Sequence, residues 1–123
     1  MASDSKSRDD MRMRICDAVV GAMRDATGRG PTGARCTIDR DVVYVYLQDG
    51  LSSAERTLVE RGRGAAVLTL RRTYQDAARN DMTRAVTAIT GREVRAFMSA
   101  DHVDPDCSVE VFVLGDRLAA DAD

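Results

Sequence analysis

The hydrophobic period of this chain changes twice from helical to strand-like, and each change falls on the same triplet, Thr-Gly-Arg. From Arg8 to Ala26 the apolar residues Ile15, Ala18, Val19, Ala22, Met23 and Ala26 recur at three- and four-residue steps, the spacing of a one-sided helix. Thr27-Gly28-Arg29-Gly30-Pro31 stops it, because glycine takes the left-handed conformation that ends a helix and proline cannot continue one. The period then becomes two. Ala34, Cys36 and Ile38 alternate with Arg35, Thr37 and Asp39; after a turn at Arg40, Val43, Val45 and Leu47 alternate with Val42, Tyr44 and Tyr46. Two such runs so close together read as a β-hairpin.

Asp49-Gly50 ends the second strand, and Ser52 or Ser53 caps a short helix with Glu55 in its first turn, ending near Arg61-Gly62. A long helix follows over Gly64 to Thr90, with Val67, Leu70, Tyr74, Ala77, Ala78, Ala85, Val86 and Ile89 on one side, and Gly91 closes it. Glu93 to Ala100 and Cys107 to Leu114 form a second pair of alternating runs, joined by the turn-rich stretch Asp101-His102-Val103-Asp104-Pro105-Asp106. The order is α-β-β-α-α-β-β, and its two halves share a helix, a glycine stop and two strands. This reads as an α+β fold, one four-stranded antiparallel sheet covered by helices on one face.

A chain of 123 residues and 13.4 kDa holds one core. Residues 1–7 read as a disordered N-terminal tail, 8–115 as the domain and 116–123 as an acidic C-terminal tail. With 18 basic and 20 acidic residues the net charge is −2, so no global positive field favours nucleic acid or anionic lipid. No apolar run reaches the ~18 residues that cross a bilayer, and Met1 to Asp10 is too polar for a signal peptide, so the expected location is the cytoplasm. Cys16, Cys36 and Cys107 are odd in number and form no Cys-x-x-Cys pair, which suits free thiols in a reducing compartment. His102 is the only histidine, and its neighbours Asp101, Asp104 and Asp106 are a weak case for a metal site. No nucleophile, base and orienting group can be assembled from the sequence, so the expectation is a protein that is not an enzyme and needs no cofactor.

The period of two assigns residues to sheet faces. If the helices cover the face with Ala34, Cys36, Ile38, Val43, Val45, Leu47, Val94, Ala96, Met98, Val109, Val111 and Val113, the opposite face carries Arg35, Thr37, Val42, Tyr44, Tyr46, Arg95, Phe97, Ser99, Glu110, Phe112 and Leu114. Tyr44, Tyr46, Phe97 and Phe112, four of the five aromatic residues, then need a partner. The expected partner is a second copy of the chain, in a homodimer. Single-stranded RNA stacked on the same aromatics is the alternative. A third reading takes Gly28, Arg29, Gly30 and Pro31 with Arg92 as an anion or partner site, provided that the two half-repeats bring Arg29 and Arg92 together. Arg56, Arg61, Arg63, Arg71 and Arg72 form a basic stretch around the helix-helix joint that suits an acidic partner or a membrane surface.

Several ordered motifs resemble one family over nearly the whole chain, from about Met11 to Leu114. They are Gly28-Arg29-Gly30-Pro31, Val43-Tyr44-Val45-Tyr46-Leu47, Leu51-Ser52-Ser53-Ala54-Glu55, Thr90-Gly91-Arg92-Glu93-Val94 and Val111-Phe112-Val113-Leu114. Together they are similar to the DUF2294 or MpsC-like family, the domain of a Na+-translocating membrane-potential system. The resemblance implies a soluble accessory subunit linked to a membrane transporter of ions or bicarbonate, and it brings no catalytic residue. Ser52 or Ser53 stands where the family tends to have threonine, a change that keeps the capping chemistry.

Overall fold

Both Thr-Gly-Arg triplets end a helix in the same way. The structure is a computed structural model that describes residues 2–116, and in it helix α1 spans Ala2–Thr27 and helix α3 spans Gly64–Thr90. Gly28 and Gly91 have φ of 80° and 70°, the left-handed conformation that a side chain would strain. The Gly28 amide donates to the Arg24 carbonyl (2.8 Å) and the Gly91 amide to the Thr87 carbonyl (2.9 Å). Thr27 Oγ1 donates to the Met23 carbonyl (2.9 Å) and accepts from the Arg29 amide (3.1 Å). Thr90 Oγ1 repeats the pattern with the Val86 carbonyl (2.7 Å) and the Arg92 amide (3.1 Å). The threonine thus satisfies a terminal helix carbonyl and starts the next turn with one hydroxyl.

Each helix leads into a hairpin. Strands β1 (Gly33–Asp39) and β2 (Val42–Gln48) follow α1, and β3 (Val94–Val103) and β4 (Asp106–Leu114) follow α3. Between the halves lies the short helix α2 (Ser53–Glu60), capped by Ser52: its side chain accepts from the Glu55 amide while Glu55 accepts from the Ser52 amide, a complete capping box. The sheet order is β1-β2-β4-β3, antiparallel throughout. The hairpins therefore meet at β2 and β4, and an approximate two-fold axis through that pair relates one helix-hairpin half to the other. α1 lies over β1, α3 lies over β3, and the helices pack on each other. Between helices and sheet sits a core of Ile15, Val19, Met23, Val43, Val45, Leu47, Met82, Val86, Phe112 and Leu114.

Two expectations are refined. α1 begins at Ala2 rather than Arg8: the residues before Arg8 are mostly polar and carry no apolar period, and Lys6 and Ser7 are exposed. The second hairpin is tighter than its six-residue link suggested: pairs Asp101↔Ser108, His102↔Cys107 and Val103↔Asp106 extend the ladder to an Asp104-Pro105 turn. Of the expected acidic tail, residues 117–123 lie outside the described residues.

The face assignment holds for the first hairpin and is reversed in the second. In the register, Val43 pairs with Phe112, Val45 with Glu110 and Leu47 with Ser108, and Phe97 pairs with Phe112. Phe97 and Phe112 therefore belong to the helix-covered side, in contact at a ring separation of 5.2 Å, and are not part of an open face. Two physical causes act. A bulge at Arg95, between Val94 and Ala96, inserts one residue and flips the rest of β3. In β4, Glu110 looked like the solvent-side marker, but its carboxylate is buried against α3.

Candidate functional site: the open sheet face and the cleft beneath it

With the second hairpin reversed, the uncovered face becomes more aliphatic. Across β2, β4 and β3 it carries the cross-strand rows Val42, Val113 and Ala96; Tyr44, Val111 and Met98; Tyr46, Val109 and Ala100. Tyr44 is 41% exposed and Met98 53%. At the β1 border the Arg35 guanidinium lies over the Tyr46 ring at 4.9 Å, so the cation covers the aromatic and leaves the centre of the face without charge. Antiparallel sheets with a solvated face put polar residues there; nine neighbouring apolar side chains with none of them make a patch that excludes water when covered. Of the four aromatics assigned to this face, Tyr44 and Tyr46 lie on it.

The covered side holds a polar cluster built on the buried stripe of α3. That stripe runs Val67, Arg71, Gln75, Ala78, Met82, Val86, with Leu70 and Ala77 facing outward. Gln75 Nε2 donates to Glu110 Oε1 (2.8 Å) and to Asp101 Oδ1 (3.1 Å), tying the helix to β4 and β3 with one amide. Glu110 is wholly buried and its Oε2 meets no donor in hydrogen-bonding geometry. Burial pushes its carboxyl up to about 7, against the opposing pull of nearby Ser99, Gln75 and Arg71. Desolvation raises the Asp101 carboxyl as well, although Arg71 and Gln75 favour its charged form. Arg71 Nη1 donates to the Gly50 carbonyl (3.3 Å) and stands 3.8 Å from Glu55. Asp106 accepts from the Gly50 and Leu51 amides (3.3 and 3.0 Å), which fixes the corner between β2 and α2.

Beside this cluster a cleft of about 300 Å³ opens between α3 and the edge strand β3, lined by Leu68, Arg72, Gln75, Arg79, Phe97 and Asp101 among others. Arg79 lies 5.5 Å over the Phe97 ring. The cluster can hold or release a proton near neutral pH. His102 sits apart from it at the hairpin tip, with Nδ1 2.9 Å from the Pro105 carbonyl oxygen. Among the described residues no group of three or more His, Cys, Asp or Glu side chains is arranged to hold a metal ion.

The turn residues do not converge. Gly28, Arg29, Gly30 and Pro31 lie at the end of the sheet where β1 begins and β2 ends, with the Arg29 guanidinium donating to the Asp49 carbonyl (3.2 Å). Arg92 precedes β3 at the opposite end, where Gly115 donates to the Glu93 carbonyl. The length of a seven-residue strand, about 23 Å, separates the two ends. The approximate two-fold axis puts equivalent turns at opposite ends, so Arg29 and Arg92 are not brought together within one chain.

Gln75 was not singled out from the sequence, Arg71 was read only as part of a basic stretch and Glu110 only as a residue of the open face, whereas both are buried. A signal existed for two of them: Arg71 and Gln75 are polar residues at four-residue steps from Val67, in line with Ala78, Met82 and Val86, which is where a helix buries polar groups only when they have partners.

The sequence matches, over residues 7–116, the family model described as Na+-translocating membrane potential-generating system (MpsC). No curated protein and no solved structure matches the chain.

Proposed function

We propose, from the premise that this chain belongs to the MpsC family, that it is a non-enzymatic, cytoplasmic accessory protein which self-associates through its open sheet face and serves a membrane ion system by protein contacts. Among the described residues no helix is long and apolar enough to cross a membrane, which supports a role in contact with such a system rather than as its path. The observation that carries the reading is the charge-free apolar centre of the open face, with Tyr44, Val111 and Met98 in its middle row.

A second copy is the occupant that fits best. Four strands about 4.8 Å apart and seven residues long give a face of about 19 by 23 Å. Stacking two of them buries on the order of 1,000 Å² once the side chains interdigitate, the threshold for a specific interface. The approximate two-fold within each sheet suits a symmetric pairing of identical faces. RNA is disfavoured, because the two phenylalanines that would extend the stacking surface are on the other side.

Val111 is half-buried at the middle of the face, so Val111→Asp places a charge where the partner would sit and leaves the helix-side core intact. The variant is expected to elute from size exclusion at half the wild-type mass with its far-UV circular dichroism unchanged. A variant that elutes with the wild type contradicts the assignment.

A further inference from the structure

The groove between α1 and β1 holds two thiols side by side. Cys16 is on the flank of α1 next to the core residue Ile15, and Cys36 is on the helix-facing side of the edge strand β1; both pack against the core. The two side chains interact thiol to thiol. Both line an open groove with Arg12, Met13, Arg35 and Thr37, both are free cysteines of intermediate exposure, and Met13 at the groove is 66% exposed. The third cysteine, Cys107, is on the open face of the sheet beside Tyr46. No part of the proposed assembly surface uses the Cys16 and Cys36 pair.

We propose that Cys16 and Cys36 are a dithiol modification site, which a low-molecular-weight disulfide converts into an intramolecular cross-link between α1 and β1. The Cys16 thiolate attacks one sulfur of the small disulfide, breaking its S–S bond and releasing one thiolate, and leaves a mixed disulfide on Cys16. Cys36 gives its proton to solvent and attacks the Cys16 sulfur; the protein disulfide forms and the second small thiolate leaves. Two protein thiols are oxidised by two electrons and one small disulfide is reduced to two thiols. Burial raises both thiols, Cys36 up to about 12, so the reaction accelerates as pH rises, and Cys16, the less buried of the two, is the one that attacks first. The bond would pin α1 to the strand that borders the open face.

The test treats the folded chain with oxidised glutathione at pH 8 and maps the product by intact mass and tryptic digestion. The expected product has lost two hydrogens, keeps one titratable thiol and joins peptide 15–24 to peptide 36–40. It remains a single chain in denaturant without reductant, and its melting temperature rises by roughly 10 °C. Cys16→Ser and Cys36→Ser are each expected to stop at the glutathione adduct. A stable adduct on wild-type Cys16 or Cys36 without the joined peptides, a link through Cys107, a link between chains, or three thiols left unreacted would each overturn the proposal.

Discussion

Glu110 is wholly buried and accepts one hydrogen bond from Gln75, so ionising it costs desolvation that no contacting cation offsets. Its carboxyl lies at about 7 in the fold against 4.5 ordinarily. The folded chain therefore holds this proton more tightly than the unfolded chain. This contribution to stability is complete below about pH 4.5, falls as pH rises through about 7, and is level above that. The loss amounts to roughly 3 kcal/mol. Asp101, also raised by burial, adds in the same direction. Glu110→Gln removes the titration, so urea unfolding followed from pH 5 to pH 8 should show a flatter profile and a variant more stable than wild type at pH 8. An unchanged slope would mean that Glu110 does not hold its proton in the fold. At this scale the sequence was only partly legible. Arg71 and Gln75 announce themselves by lying on an apolar stripe, whereas Glu110 alternates with Val109 and Val111 as a solvent-side residue would, and only its amide partner on α3 reverses that meaning.

The elements were legible where local chemistry decides them. α3 runs over Gly64–Thr90 as its spacing and Gly91 indicate, and the Ser52 cap with Glu55 is formed. The faces of β3 and β4 were not, because both sides of β4 are apolar and the single extra residue at Arg95 changes the parity of β3 without a sequence mark. Two substitutions separate the faces. Phe112 is fully buried against Phe97 and the helices, so Phe112→Ala should cost about 3–5 kcal/mol of unfolding free energy. Met98, 53% exposed on the other side, should cost less than about 1 kcal/mol as Met98→Ala in dilute protein, where association contributes nothing. Urea titration reads both; equal costs would put the two residues on the same side.

At the scale of the whole molecule, two helix-hairpin halves joined at β2 and β4 build a sheet with one side filled by α1 and α3 and the other bare. The repeat of Thr27-Gly28-Arg29 in Thr90-Gly91-Arg92 is the sequence trace of that arrangement, and the same symmetry keeps Arg29 and Arg92 apart. What covers the bare side belongs to the assembly and leaves no local pattern beyond an excess of apolar residues. The central claim is that a second copy covers it. Light scattering behind size exclusion, over a range of protein concentrations, measures this directly. A mass of twice 13.4 kDa, dissociating only on strong dilution, is the expected result. A mass of 13.4 kDa at every concentration would contradict the account and leave the row of Tyr44, Val111 and Met98 to a different partner.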